Sequence, residues 1–221
     1  MIKCFIFDLD DTLYYEKMYV LEAFKNVCRY ISKKNNKDIN KLYKECVDIL
    51  DEYGRGRVFN ILCENNNLKE DISKLVSIYR HTEPKLELYL DSIEFIEYIK
   101  YKSMKTGIIT DGCSKVQWNK IRALGLERVI DKIIVTNDYG QGFSKPNKKS
   151  YIDIIEHFNV KPEESVYIGD NPTKDFIGAK EIGMKTIRII RNTGDHINKK
   201  VTLEYEADKI ITNLLELKEY L

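Results

Sequence analysis

Short apolar runs that stop abruptly at polar residues set the rhythm of this chain. Residues 2–7 read Ile-Lys-Cys-Phe-Ile-Phe and end at Asp8, and comparable runs cover 106–110, 132–136, 165–168, 186–190 and 209–212. Runs of this length, rich in β-branched and aromatic residues, predict strands buried on both faces of a parallel sheet. Between them the apolar spacing changes to that of helices, over 114–124, 148–158 and 174–182, the last ending at Gly183. Strands alternating with helices of about ten residues imply βαβ units and an α/β, Rossmann-like, doubly wound sheet. Such sheets bind ligands beyond the carboxyl ends of their strands.

Residues 14–88 break the alternation. Tyr19, Val20, Ala23, Phe24, Val27, Tyr30 and Ile31 fall at helical spacing within 16–34, as do Leu42, Tyr43, Cys46, Ile49 and Leu50 within 39–53. Further helices are predicted over 58–64 and 72–79, with polar breaks at 35–36, 54–56 and 65–67. An all-helical insert over 14–88 therefore separates the first strand from the rest of a core made of 1–13 and 89–221. A helix over 91–100 returns the chain to that core.

Composition narrows the function classes. With 43% hydrophobic and 32% charged residues, 11 Gly and 4 Pro in 221 residues, the chain can build a core and is neither collagenous nor low-complexity. Lys plus Arg number 36 against 35 for Asp plus Glu, a net charge of +1, so no bulk field attracts nucleic acid or an anionic membrane. Any anion must be held by a local site. The 15 Tyr follow helical core spacing without a basic excess, which does not make a nucleic-acid platform. The opening apolar run is too short for a signal peptide, and no run approaches the roughly 18 apolar residues of a membrane span. Five widely spaced cysteines, Cys4, Cys28, Cys46, Cys63 and Cys113, fit reduced thiols in a cytoplasmic protein. A monomer and a homodimer both remain open.

The polar clusters that end the runs carry the chemistry. Asp8-Leu9-Asp10-Asp11-Thr12 follows the first strand, and alternation lets Asp8 and Asp10 face one site while Leu9 packs behind. Carboxylates this close either share a cation or separate their pKa values. Alone, the same five residues read equally well as a solvated acidic turn capping a helix. Thr110-Asp111-Gly112 ends the second strand with a hydroxyl and turn amides at a helix start, where an anion is favoured. Lys145-Pro146 places a point positive charge in a stiff loop. Gly169-Asp170-Asn171-Pro172-Thr173-Lys174-Asp175 ends the fourth strand with carboxylates suited to Mg²⁺.

Four such motifs, in the order Asp-x-Asp-x-Thr, Thr, Lys-Pro and Gly-Asp-x-x-x-x-Asp, resemble those of haloacid-dehalogenase-superfamily hydrolases across the core, and the helical insert resembles that superfamily's small helical cap. The resemblance implies a Mg²⁺-dependent phosphatase acting on a small phosphorylated metabolite. By it, Asp8 attacks phosphorus and Asp10 serves as general acid and then base. The metal is held by Asp8, the Asp10 backbone carbonyl, Asp170 and Asp175. Thr110, Lys145 and backbone amides near Leu9, Asp10 and Asp111 grip phosphoryl oxygens, with Thr12, Gly112 and Asn171 shaping the same site. Asp11 points away from it.

A phosphomutase shares every one of these motifs. A dehalogenase of the same fold needs no metal and lacks the second acid, whereas Asp10, Asp170 and Asp175 are all present here. A receiver-like protein that only holds phosphate or metal has neither a cap nor a need for Asp10. In the insert, Arg55 and Arg57 in Gly-Arg-Gly-Arg either meet a second anionic group of the substrate or form an ordinary solvated loop. Tyr14, Tyr15 and Tyr19 follow the first motif closely. His81, His157 and His196 lie away from the four motifs, Trp118 reads as core, and Cys113 reads as a spectator beside the second motif.

Overall fold

A computed structural model describes residues 1–220. The chain divides into two compact units, one of Met1–Glu16 with Leu86–Leu221, the other of Lys17–Lys85.

In the first unit, β1 (Cys4–Phe7), β2 (Lys105–Thr110), β3 (Lys132–Val135), β4 (Ser165–Gly169), β5 (Lys185–Ile189) and β6 (Lys209–Ile211) form one parallel sheet in the order β3-β2-β1-β4-β5-β6. The chain builds outward from β1 to β3, then returns to lay β4 on the other side of β1. That switch point is where a crevice opens beyond the strand ends. Register makes the ends coincide, because Phe7 is opposite both Ile108 and Ile168. Asp8, Thr110 and Asp170 therefore emerge along one edge.

Alternation along β1 assigns its faces. Cys4 and Ile6 join Ile109, Tyr151, Ile154 and Tyr167 in one buried cluster. Phe5 and Phe7 stack edge-on against Phe95, at 5.4 and 6.2 Å between ring centroids. Phe95 belongs to α5 (Leu90–Tyr101), and Tyr151 and Ile154 to α7 (Lys149–Phe158).

The expected helix over 174–182 contracts to one turn, Ile177–Lys180. Asn171 and Asp175 consume the preceding residues in a tight loop. The Asp175 amide donates to the Asn171 carbonyl at 3.0 Å, and the Asn171 amide donates to the Asp175 carboxylate at 2.9 Å. Gly178 sits against the backbone of Pro146 so closely that a Cβ there would strike the Pro146 carbonyl.

Arg191, just beyond β5, clips this unit together. Its guanidinium donates to the Thr12 carbonyl at 2.7 and 3.1 Å, to Asp91 at 2.6 Å and to Ser92 at 3.2 Å. Both members of the Arg191–Asp91 pair are buried. Arg191→Ala leaves Asp91 buried without its ion partner, so we expect a loss of about 3–5 kcal/mol in urea unfolding. A loss below about 1 kcal/mol would contradict this role.

The second unit is α1 (Lys17–Asn35), α2 (Ile39–Tyr53), α3 (Val58–Asn65) and α4 (Ile72–Arg80). Their apolar faces enclose Val20, Phe24, Val27, Leu42, Phe59, Leu62 and Leu75. Asp38 caps α2 by accepting from the Asn40 and Lys41 amides, and Asp71 caps α4 through Ser73. All five cysteines are free. The first unit extends to Glu16, beyond the expected boundary at residue 14. Tyr14 is buried in the first unit and bridges Leu88. Among the described residues, no helix is long and apolar enough to cross a membrane.

Candidate active site

Asp8 leaves β1 with its amide still donating to the Ile168 carbonyl of β4 at 2.8 Å, while Leu9 is fully buried behind it. Lys145 reaches the Asp8 carboxylate at 2.6 Å and the Asp175 carboxylate at 2.7 Å, and donates to the Tyr167 hydroxyl at 2.8 Å. Asp175 is fully buried, and only a glycine at 169 leaves room for it, since a Cβ there would lie 2.5 Å from its carboxylate. Asp8, Asp170 and Asp175 each offer a carboxylate oxygen within 4.8 Å of the others.

Three buried acids lie together and one ammonium pairs with two of them, Asp8 and Asp175, which leaves negative charge in excess. Burial pushes Asp8 up to about 7, with Asp175 adding to the rise and Lys145 opposing it. Burial, then Asp175 and Asp8, hold Asp170 well above the usual carboxylate range. Burial disfavours the Lys145 ammonium, but Asp175 and Asp8 outweigh it and keep the residue charged. A buried cluster of hard oxygen ligands with surplus negative charge could hold a divalent metal ion.

The second and third motifs interlock. Asp111 accepts from the Lys145 amide at 3.1 Å and from Thr136 at 2.7 Å, and pairs with Lys174 at 3.0 Å. Although burial opposes it, Lys145, Lys174 and Thr136 hold the Asp111 carboxyl low. This side chain braces the Lys145 loop, which leaves its backbone amide as the group able to meet a substrate. Gly112 has φ +129°, a conformation that suits glycine in the turn before α6 (Ser114–Ala123). Asn171 spends its carbonyl oxygen on Thr173, at 3.1 Å to the amide and 2.7 Å to the hydroxyl, so it too shapes a loop.

Asp10 stands apart from the acidic trio. Its Oδ1 accepts from Lys120 at 2.7 Å and from the Tyr14 hydroxyl at 2.6 Å, and its Oδ2 from Gln117 at 2.9 Å. Gln117 also donates to the Thr110 hydroxyl at 2.6 Å. Lys120 pairs with Glu16 as well, at 3.2 Å. Neither Gln117 nor Lys120 was expected from the sequence. The signal is that both are long polar residues on the face of α6 that also buries Val116 and Ile121.

Residues 5–189 match the model of the haloacid dehalogenase-like hydrolases. The chain belongs to that family. It is 32% identical over 200 residues to the glyceraldehyde 3-phosphate phosphatase of Methanopyrus kandleri, covering 86% of this chain and 85% of the relative. It is 31% identical over 230 residues to the protein of the same name from Pyrococcus furiosus, covering 100% and 93%. A solved HAD phosphatase from Thermococcus onnurineus superposes with a TM-score of 0.65 at 27% identity, covering 99% of this chain and 97% of that one.

Several residues of this haloacid dehalogenase-like hydrolase depart from the sequence expectation. Thr12 is fully buried with its hydroxyl unpartnered, and its carbonyl is held by Arg191, so it supports the loop from beneath instead of facing a substrate. Asp11, at φ +51°, accepts from the Glu16 and Asp195 amides, both at 3.0 Å. That bond folds the segment after β5 back, and His196 joins Asp11, Asp170, Arg191 and Gly194 around a small cavity. Linear distance from the motifs hid this placement of His196. Trp118 is half-buried and donates to Asp138 at 2.9 Å, so it is not core. In the helical unit, Arg57 is exposed and lies 3.5 Å from Glu64, while Arg55 borders a cavity of about 320 Å³ together with Phe24, Phe59 and Tyr79.

Proposed function

We propose that the chain is a Mg²⁺-dependent phosphatase that hydrolyses a small phosphomonoester through an aspartyl-phosphate on Asp8. The observation that carries this reading is the buried trio of Asp8, Asp170 and Asp175, two of them paired with Lys145, with a separate acid, Asp10, two residues beyond Asp8. The family membership and the phosphatase names of the relatives point the same way. With glyceraldehyde 3-phosphate phosphatases among those relatives, a three-carbon sugar phosphate is the first substrate to try.

The carboxylates of Asp8, Asp170 and Asp175, with the Asp10 backbone carbonyl, would hold the metal. When bound, Mg²⁺ offsets charge on the phosphoryl oxygens and lets an anionic nucleophile approach an anionic ester. Lys145 holds the Asp8 carboxylate at a fixed angle and adds a second positive charge. An Asp8 oxygen forms the new bond to phosphorus as the ester P–O bond breaks, and Asp10 gives its proton to the departing alkoxide. Water then attacks the same phosphorus, Asp10 takes its proton, and phosphate leaves Asp8. The helical unit of Lys17–Lys85 serves as the cap that chooses the substrate, with Arg55 and Arg57 as candidates to meet a second polar group. The five free thiols suit a reducing, cytoplasmic setting.

The test is a panel of phosphorylated metabolites assayed for phosphate release with Mg²⁺. The highest kcat/KM is expected on triose phosphates. Chelation with EDTA should lower activity at least about a hundred-fold, restored by adding Mg²⁺ back. Full activity after exhaustive chelation would overturn the metal reading, and a panel with no turnover would overturn the phosphatase reading.

A further inference from the structure

Asp10 is held by three donors, Lys120, Tyr14 and Gln117, at 2.6 to 2.9 Å. A carboxyl group so engaged must release a partner before one of its oxygens can turn to a leaving group. The donor at issue is Lys120, whose side chain is only 2% exposed. Removing the only counter-charge from a buried ammonium ordinarily costs several kcal/mol, enough to immobilise the acid. Here that cost is avoided, because the same ammonium lies 3.2 Å from Glu16, itself only 17% exposed. Glu16 keeps Lys120 compensated while Asp10 is away, and the freed Asp10 carboxylate takes up a proton from solvent before giving it to the leaving group.

We infer that Lys120 and Glu16 are positioning residues that park Asp10 and let it swing to the leaving group and back. The inference deepens the phosphatase reading and rests on Asp10 being its general acid and base. Lys120 defines the parked position. Glu16 makes departure from it reversible. Gln117 ties the parked carboxylate to Thr110 at the end of β2, so the resting geometry is referred to the sheet and not to a loose loop.

Leaving-group dependence separates positioning of the acid from general damage. An aryl phosphate such as 4-nitrophenyl phosphate expels a stable phenolate and needs little proton donation, whereas glycerol 3-phosphate expels an alkoxide and needs it fully. Because kcat/KM covers only steps through the first phosphoryl transfer, the ratio of alkyl to aryl kcat/KM reads the acid alone. For Lys120→Met we expect this ratio to fall at least about thirty-fold, with aryl kcat/KM within about three-fold of wild type. Lys120→Arg, which keeps the cation, should recover most of the ratio. Glu16→Gln leaves the buried Lys120 in place and provides the second route. By holding Asp10 in its parked position, it should lower alkyl kcat/KM about ten-fold with aryl kcat/KM unchanged.

Equal losses on both substrates, or none, in Lys120→Met and Glu16→Gln would overturn the inference. If Lys120→Met does not fold, Glu16→Gln decides alone. The underlying reading fails separately. It fails if wild type hydrolyses neither ester, or if Asp10→Asn leaves the alkyl-to-aryl ratio intact. A depressed ratio in Asp10→Asn beside normal ratios in the Lys120 and Glu16 variants would keep the phosphatase reading and discard this one.

Discussion

Asp8→Asn is expected to lower phosphate release by about 10⁴-fold or more while raising the thermal stability of the metal-free protein at neutral pH. The loss of activity follows from removing the proposed nucleophile, for which an amide oxygen is no substitute. The gain in stability follows from the cluster's electrostatics. Burial raises Asp8 from 3.8 to about 7, so the folded protein binds this proton more readily than the unfolded chain does. Whatever stability that proton contributes is fully present below about pH 4 and is lost as pH rises through about 7. An asparagine has no proton to lose. The stability difference between Asp8→Asn and wild type should therefore widen between those two pH values, and thermal melts without metal across that range check it. A variant less stable than wild type at pH 7.5 would contradict the excess-charge description of the site.

Lys145→Met should behave oppositely in stability and similarly in activity. The ammonium compensates Asp8 and Asp175 at 2.6 and 2.7 Å with its own side chain fully buried. Without it, two buried carboxylates are left uncompensated, and a loss of about 3–5 kcal/mol is expected in chemical unfolding without metal. Turnover should fall at least about a thousand-fold, because Asp8 loses both its orientation and the positive charge proposed to face the phosphoryl group. Mg²⁺ should stabilise Lys145→Met more than wild type, since the variant cluster carries one further uncompensated charge. The opposite signs for Asp8→Asn and Lys145→Met distinguish an over-charged cluster from a balanced one. Equal destabilisation by both substitutions would mean that the cluster is balanced without a metal.

The sheet was legible because each strand is a short apolar run closed by a polar cluster, as Ile-Phe closes on Asp8 and Tyr-Ile-Gly on Asp170. The same punctuation exposed the four loops, since parallel strands in register deliver their ends to one edge. Features hidden from the sequence depend on which way a side chain turns. Lys120 and Gln117 occupy positions on α6 that periodicity marks as buried, yet their chemistry reads as solvent-facing. Their burial makes sense only once Asp10 is placed opposite them. Asp111 looked like a substrate contact because of its loop, and its real partners, Thr136 and Lys174, come from two other loops. His196 lines the same small cavity as Asp170, where Asp11 folds the segment after β5 back through the Asp195 amide. The short α8 (Ile177–Lys180) reflects a local conflict, in which helical spacing over 174–182 yields to the Asn171–Asp175 loop.

Hydrolysis by this route requires a covalent bond between phosphorus and Asp8. Rapid mixing of wild-type protein with Mg²⁺ and its best substrate, followed by acid quench and borohydride reduction, converts an aspartyl-phosphate to homoserine that peptide mass spectrometry can locate. Homoserine at position 8 in wild type, absent without substrate and absent in Asp8→Asn, is the predicted result. A protein that turns over at the same rate while the Asp8 peptide stays unmodified, or carries the phosphoryl group on another residue, would contradict it.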